Sequence, residues 1–336
     1  MKAVAYSSKI CEKELLIKAN NKKHDITLIS NRLTAETVSY AKGKEAVLVF
    51  SSDDLSAPIL QKLKDLGVKY IATRSTGTDH IDLLEAHRLG LKVSNIPAYS
   101  PESIAEHALM LMLGLCRNII PAHNQMLEYD FSLTNLVGST ISHKTIGIVG
   151  LGRTGKALVK ILSGFGATVL VNDIEDVDDY CSVNRVKQVS YEEILRQADI
   201  ISFHVPLNES THHMVNAKTI GKMKKNVMLI NVSRGAIFNS HEVFDALQDD
   251  KISRIGMDVY EFEHNVFFFN HQEKTLDDTL LKAFIQHSRV LLTPHQAFLT
   301  VDALQIIAEK TIMNLDNWEL CNTPGHVCDI PKALSA

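Results

Sequence analysis

The stretch KTIGIVGLGRTGKALVKIL, Lys144 to Leu162, decides the fold. It starts as an apolar strand and continues as a helix, with Gly150-x-Gly152-x-x-Gly155 at the junction. Gly150 permits the tight turn, Gly152 lets backbone approach a pyrophosphate, and Gly155 lets helix and strand pack closely. The helix opens at Arg153 and Thr154, where unpaired N–H groups face any bound phosphate.

The next strand, ATVLVND, ends in Asp173, placed where a carboxylate can take the ribose hydroxyls of a dinucleotide. Glu175, Asp176, Asp178 and Asp179 follow it, so the strand end carries five carboxylates in seven positions. Such a cluster repels an extra phosphate and favours NAD over NADP as cofactor. On the loop alone two other readings stand beside this one. The glycines serve packing only, or the domain is a methyltransferase.

Outward from the loop, short β-rich runs recur along the chain. KAVAYS, HDITLIS, EAVLVF, KYIATRS and KVSNIP fill the first third; KTIGIVG, ATVLVND, DIISFHVP, VMLINVS, RIGMDVY and VLLTPH fill the second series. Helical patterns such as APILQKLKDLG, YEEILRQA and SHEVFDALQDD separate them. Alternation of this kind implies parallel sheets covered by helices on both faces. SPESIAEHALMLMLGLCR, with Ser100 as N-cap and Pro101 in the first helical position, carries the chain out of the first domain. FLTVDALQIIAEKTIMNLDNWEL carries it back. The expected fold is α/β, with two doubly wound parallel-sheet domains. A flavodoxin-like substrate domain comprises residues 1–98 and 296–336, and an inserted Rossmann NAD-binding domain comprises 99–295.

Bulk properties agree with an ordinary globular chain. It has 336 residues, 45% hydrophobic and 22% charged, with a formal net charge of −4. That balance gives no reason to expect nucleic acid or an anionic membrane as partner. The longest apolar run, Ala108 to Cys116, is far short of the roughly 20 residues that span a bilayer. The N-terminus turns polar too soon for a signal peptide. Five scattered cysteines suggest a reducing, cytoplasmic setting. The tail CNTPGHVC sets Cys321 and Cys328 around His326, but the spacing matches no common zinc pattern, and no metal is expected.

In an open parallel sheet, ligands bind outside the carboxyl ends of the strands. In the second domain those ends read HVP, NVSRG, MDVYEFE and TPHQ, and they carry Arg234, then Asp258 and Glu263, then His295. Taken singly, each has a bland reading as a capping, paired or solvated residue. A cation, a carboxylate and a histidine beside a dinucleotide suit the oxidation of an alcohol acid.

At this point the chain resembles the D-2-hydroxyacid dehydrogenase family, and within it the lactate branch. RSTGTDHID, PAYSPESIAEHALM, GLGRTG, HVPL, NVSRGAIF, MDVYEFE and TPHQAFLT carry the resemblance across residues 70 to 300. It implies that Arg234 grips a 2-oxo acid, that His295 is the acid–base group, and that Glu263 supports it by favouring the protonated ring. It implies that Asp258 lies near the nicotinamide and helps set the histidine's ionisation. Thr76 and Gly77 match a backbone turn that receives the substrate carboxylate. Tyr99 and Phe298 match aromatic walls of the substrate pocket. Val205, Pro206, Val232 and Ser233 join the glycine loop as cofactor contacts. The resemblance also implies an active site in the cleft between two similar domains and a homodimer. Pyruvate is the leading substrate and bulkier 2-oxo acids the alternative. Some relatives of the family use the fold as an NAD-responsive binding protein instead. Phe267, Phe268 and Phe269, in the loop HNVFFFNHQEKTLDD, either cover the cleft or pack against the other domain, and the sequence does not choose between the two.

Overall fold

The computed structural model describes residues 1–273 and 276–321. The tail around His326 and Cys328 lies outside them. The chain divides into two compact units, one of Met1–Ser100 with the chain from Leu299 onward, the other of Pro101–Phe298. The second unit closes a little beyond residue 295, because the N–H groups of Gln296 and Ala297 are tied back to the Asp258 carboxylate.

The first unit holds five parallel strands: β1 (Lys2–Ala5), β2 (Asp25–Leu28), β3 (Ala46–Val49), β4 (Tyr70–Thr73) and β5 (Lys92–Ser94), in the order β2-β1-β3-β4-β5. Side chains alternate between its faces, as the strand period of two requires. Val4, Val47, Val49, Ile71 and Val93 join one core with Leu60 and Leu63 of the helix Ala57–Asp65. Ala3, Ala5, Ala46 and Ala72 face the other way. Their small size lets the helix Val301–Cys321 lie close, with Ile312, Leu315 and Trp318 in the same core. Trp318 is buried and stacks on Tyr70, ring centroids 4.8 Å apart.

The second unit holds seven parallel strands. They are β6 (Thr145–Val149), β7 (Thr168–Asn172), β8 (Lys187–Gln188), β9 (Ile200–Phe203), β10 (Val227–Asn231), β11 (Ile252–Met257) and β12 (Val290–Leu292). Their order is β12-β11-β10-β9-β6-β7-β8, so β6 lies between β7 and β9 and the strand order reverses there. Ile146, Ile148, Val171 and Ile230 pack on the helices Pro101–Cys116 and Arg153–Leu162. Leu170, Ile201, Phe203, Leu229 and Ile255 fill the opposite core. Burial on both faces explains why these strands read as nearly unbroken apolar runs. Among the described residues, no single helix is long and apolar enough to cross a membrane.

Candidate active site

The glycine stretch lies at the carboxyl end of β6, at the switch point of the sheet. Gly150 has φ +94°, and a Cβ there would come within 2.7 Å of the His204 carbonyl oxygen. Only glycine meets both demands. A Cβ on Gly155 would lie 2.2 Å from Gly150 O, so helix and turn touch at that point. Gly152 differs. It occupies the N-cap position of the helix Arg153–Leu162 with no side-chain capping bond, and a Cβ there would meet nothing within 4 Å. Open space in front of an uncapped helix start, at Arg153 and Thr154, is what a diphosphate requires.

Asp173 ends the neighbouring strand. Its two carboxylate oxygens accept from Leu151 N at 2.6 Å and from Glu175 N at 3.1 Å. The carboxylate is thereby fixed against the glycine loop, and each oxygen keeps a lone pair for a ribose hydroxyl. Val205 and Pro206 follow β9, half-buried and exposed respectively. Val232 and Ser233 follow β10; Val232 is buried, and Ser233 Oγ donates to Asn231 Oδ1 at 3.0 Å. These residues suit a dinucleotide along the strand ends.

Further along the same edge stands the histidine. His295 Nδ1 lies 2.6 Å from Glu263 Oε1, with both side chains about a quarter exposed. The second Glu263 oxygen accepts from Tyr260 N at 2.8 Å. Asp258 is almost wholly buried. One of its oxygens accepts from Thr293 Oγ1 at 2.5 Å and Gln296 N at 2.9 Å, the other from Ala297 N at 2.8 Å. Its backbone carbonyl accepts His295 N at 2.7 Å. Asp258 therefore grips the turn that carries His295, through the Thr293 hydroxyl before the ring and through backbone N–H groups at and after it. His295 itself has φ +53°, a conformation that a non-glycine residue keeps only when its surroundings impose it.

Arg234 follows β10. Its Nη1 donates to Ser233 O at 2.8 Å, and its carbonyl accepts Asn231 Nδ2 at 2.9 Å. Phe298 is buried at the end of the same unit. Thr76, Gly77 and Tyr99 belong to the first unit. Thr76 Oγ1 donates to Ile96 O at 2.8 Å, and Gly77 O accepts Ser75 Oγ at 2.7 Å, so the turn is pinned by its side chains. The N–H groups of Thr76 and Gly77 take no partner among the described residues. Tyr99 is half-buried.

Three further side chains at the edge have no role assigned from the sequence. His107 Nε2 is 2.9 Å from Thr293 Oγ1 and 3.3 Å from Asp258 Oδ1. It stood in plain view inside PAYSPESIAEHALM, but a histidine on an otherwise apolar helix face reads as packing. The ring of Phe268 lies 5.6 Å from that of His295, on a residue with φ +71°, while Phe267 is buried in the core. His204, at the end of β9, has Nε2 2.8 Å from Ser202 Oγ, and burial pushes its imidazole down to about 4.

The fold and this edge are those of a dehydrogenase that works with a bound dinucleotide, and the chain belongs to the D-isomer specific 2-hydroxyacid dehydrogenases. The NAD-binding domain of that family matches residues 109–297, so NAD is the cofactor. The D-lactate dehydrogenase of Escherichia coli (strain K12) is 39% identical over 324 residues, covering 95% of this chain and 97% of the relative. A solved apo-structure of D-lactate dehydrogenase from Escherichia coli superposes with a TM-score of 0.88 at 38% identity, covering 98% of this chain and 100% of the other. A structure solved in identifying the pyruvate reductase of Chlamydomonas reinhardtii gives 0.91 at 36% identity, with 96% and 98% covered.

Proposed function

We propose that this chain is a D-lactate dehydrogenase, interconverting pyruvate with NADH and D-lactate with NAD. One observation carries the reading: a histidine and a glutamate 2.6 Å apart stand on the strand-end edge of an NAD-binding domain. The similarity to D-lactate dehydrogenases supports the choice of substrate.

In the reducing direction, Arg234 holds the acid through its planar fork and stabilises the negative charge that grows on the keto oxygen. His295 turns Nδ1 to Glu263, which leaves Nε2 to give a proton to that oxygen. Bound NADH supplies the hydride to the same carbon. Glu263 fixes the ring's orientation before transfer. In the oxidising direction His295 takes the hydroxyl proton back. Thr76 and Gly77 receive the substrate carboxylate through their N–H groups. Tyr99 and Phe298 wall the pocket against larger substituents. Asp258 holds the His295 turn beside the nicotinamide, with Gly150, Gly152, Arg153, Thr154, Gly155, Asp173, Val205, Pro206, Val232 and Ser233 as the remaining cofactor contacts.

A homodimer is part of the same proposal. Ile119, Ile120, Met126, Leu127, Phe131 and Leu133 are all exposed on one short segment, and apolar exposure on that scale marks an association surface. The described cysteines Cys11, Cys116 and Cys181 are free, which suits a reducing cytoplasm.

The test is the loss of NADH absorbance with purified protein against 2-oxo acids from glyoxylate through pyruvate to branched and aromatic ones, with NADPH as control. Fast turnover of pyruvate with D-lactate as product is expected. Preference for a bulkier acid would keep the mechanism and change the substrate. Tight NADH binding without turnover of any acid would turn the reading toward an NAD-responsive binding protein.

A further inference from the structure

Two residues before Glu263 stands a second carboxylate, Glu261, to which the proposed chemistry gives no task. Its side chain is 11% exposed. One oxygen lies 2.6 Å from Nε2 of His213, and the other accepts the N–H of Ser240 at 2.9 Å. Ser240 is buried and opens the helix Ser240–Gln248, just beyond the Arg234 segment. The His213 segment is bound to that same stretch. His213 N donates to Ala236 O at 2.8 Å, Val215 N to Ile237 O at 3.1 Å, and Asn239 N to Val215 O at 2.9 Å. His213 holds φ +50°, so its backbone is bent to make these bonds.

A backbone contact completes the tie. A Cβ on Gly235 would fall 2.1 to 2.3 Å from the carbonyl of Tyr260 and the nitrogen of Glu261. The residue after Arg234 thus rests directly on the peptide that leads into the Glu263 turn. Three segments that are distant in sequence meet at one carboxylate.

We infer that Glu261 and His213 form a positioning pair that locks the Arg234 segment to the Glu263 turn, so that the substrate cation and the acid–base pair are held as one piece. The inference rests on the roles proposed above for Arg234, Glu263 and His295. Its physical basis is the cost of an orphaned group. Without the carboxylate, a buried Ser240 N–H and the His213 ring both lose their partner. The segment then shifts to find others, and a displacement of about 1 Å between reacting groups costs roughly a hundredfold in rate.

The experiment compares wild-type protein with His213→Ala, His213→Gln and Glu261→Gln. Each is normalised to its NADH-binding sites, titrated by NADH fluorescence. Steady-state kinetics of 2-oxo acid reduction are then measured per site. His213→Ala is expected to lose roughly ten- to a hundredfold in kcat/KM with NADH affinity kept within about twofold. The loss is expected in kcat as well as in KM for the acid, because a displaced Glu263 no longer orients His295. Glu261→Gln, which keeps an acceptor for Ser240 N–H and can donate to the neutral His213 ring but loses the charge, is expected to fall between His213→Ala and wild type. His213→Gln, which keeps a donor near the position of Nε2, is expected to recover most of the loss. A tie that serves stability alone would lower Tm and the number of sites but leave kcat and KM per site unchanged, and that result overturns the inference. Equal losses in His213→Ala and His213→Gln overturn it too. Wild-type protein that reduces no 2-oxo acid sinks the functional reading and this inference together; wild-type turnover beside an indifferent His213→Ala sinks the inference alone.

Discussion

His295 presents Nδ1 to Glu263 Oε1 at 2.6 Å while its own amide is held by Asp258 O at 2.7 Å, in a backbone conformation of φ +53°. Ring and main chain are each fixed by a different residue of the loop after β11. The two anchors together leave the imidazole a single orientation.

Replacing His295 by alanine removes the proposed proton donor and leaves the glycine loop untouched. Turnover should fall roughly 10²–10⁴-fold, while NADH affinity, read by fluorescence titration, stays near wild type. Retained turnover would remove His295 from the chemistry.

Glu263→Gln keeps a hydrogen-bond acceptor beside the ring but removes the charge. In the proposed mechanism the ring loses the carboxylate that orients it, so kcat should fall roughly ten- to a hundredfold while NADH affinity stays near wild type. Steady-state kinetics and an NADH titration read the two directly. Unchanged kcat would separate Glu263 from the acid–base step.

At Arg234, lysine keeps the charge and discards the fork. A charged hydrogen bond is worth roughly 1.5–3 kcal/mol, so Arg234→Lys should lose about ten- to a hundredfold in kcat/KM for the 2-oxo acid. The loss should track the acid and not NADH. Equal weakening for both substrates would show that the arginine serves the fold more than the substrate.

His204 offers a pH dependence of stability. The residue is half-buried overall, but its Nδ1 is sealed from solvent and has no partner among the described residues. Its folded-state value is held down to about 4 by burial, against 6.5 for an ordinary histidine. Between those values the unfolded chain binds the extra proton and the folded chain refuses it. Stability contributed by this group is therefore complete above 6.5 and declines as pH falls toward 4, by at most about 1.4 kcal/mol per pH unit. His204→Gln keeps a polar group for Ser202 and cannot titrate. Its urea-unfolding free energy should fall less steeply over that interval than wild type. Parallel slopes would show that His204 is not the titrating group.

The central strands, such as β3, β4, β9 and β10, were legible because they are buried on both faces and read as apolar runs. The two-residue β8, Lys187–Gln188, has no such run to show. The helix Asp178–Asn184 was hidden inside a carboxylate cluster that reads first as charge. The helix after His295 begins at Val301, later than its apolar pattern suggests: Gln296 and Ala297 are bound back to Asp258, and Thr300 Oγ1 accepts Ala303 N at the helix start. At the edge, residues inside a motif announced themselves. His107, Glu261 and His213 did not, since their meaning lies in partners tens of residues to more than a hundred away. Phe268 is one of three identical neighbours, and only the turn rising from Glu263 tells it apart: Glu263 O accepts both Val266 N and Phe267 N.

Trp318 is the single tryptophan of the chain, and it stacks on Tyr70 within the first unit. Its emission is thus an intrinsic optical label for one unit only. Followed during denaturation, it records the release of the helix Val301–Cys321 from the five-stranded sheet. The fluorescence of bound NADH, excited directly, records the seven-stranded one. Two superimposable curves would mark a single cooperative transition, and two separated curves would give each unit its own midpoint without the introduction of any dye.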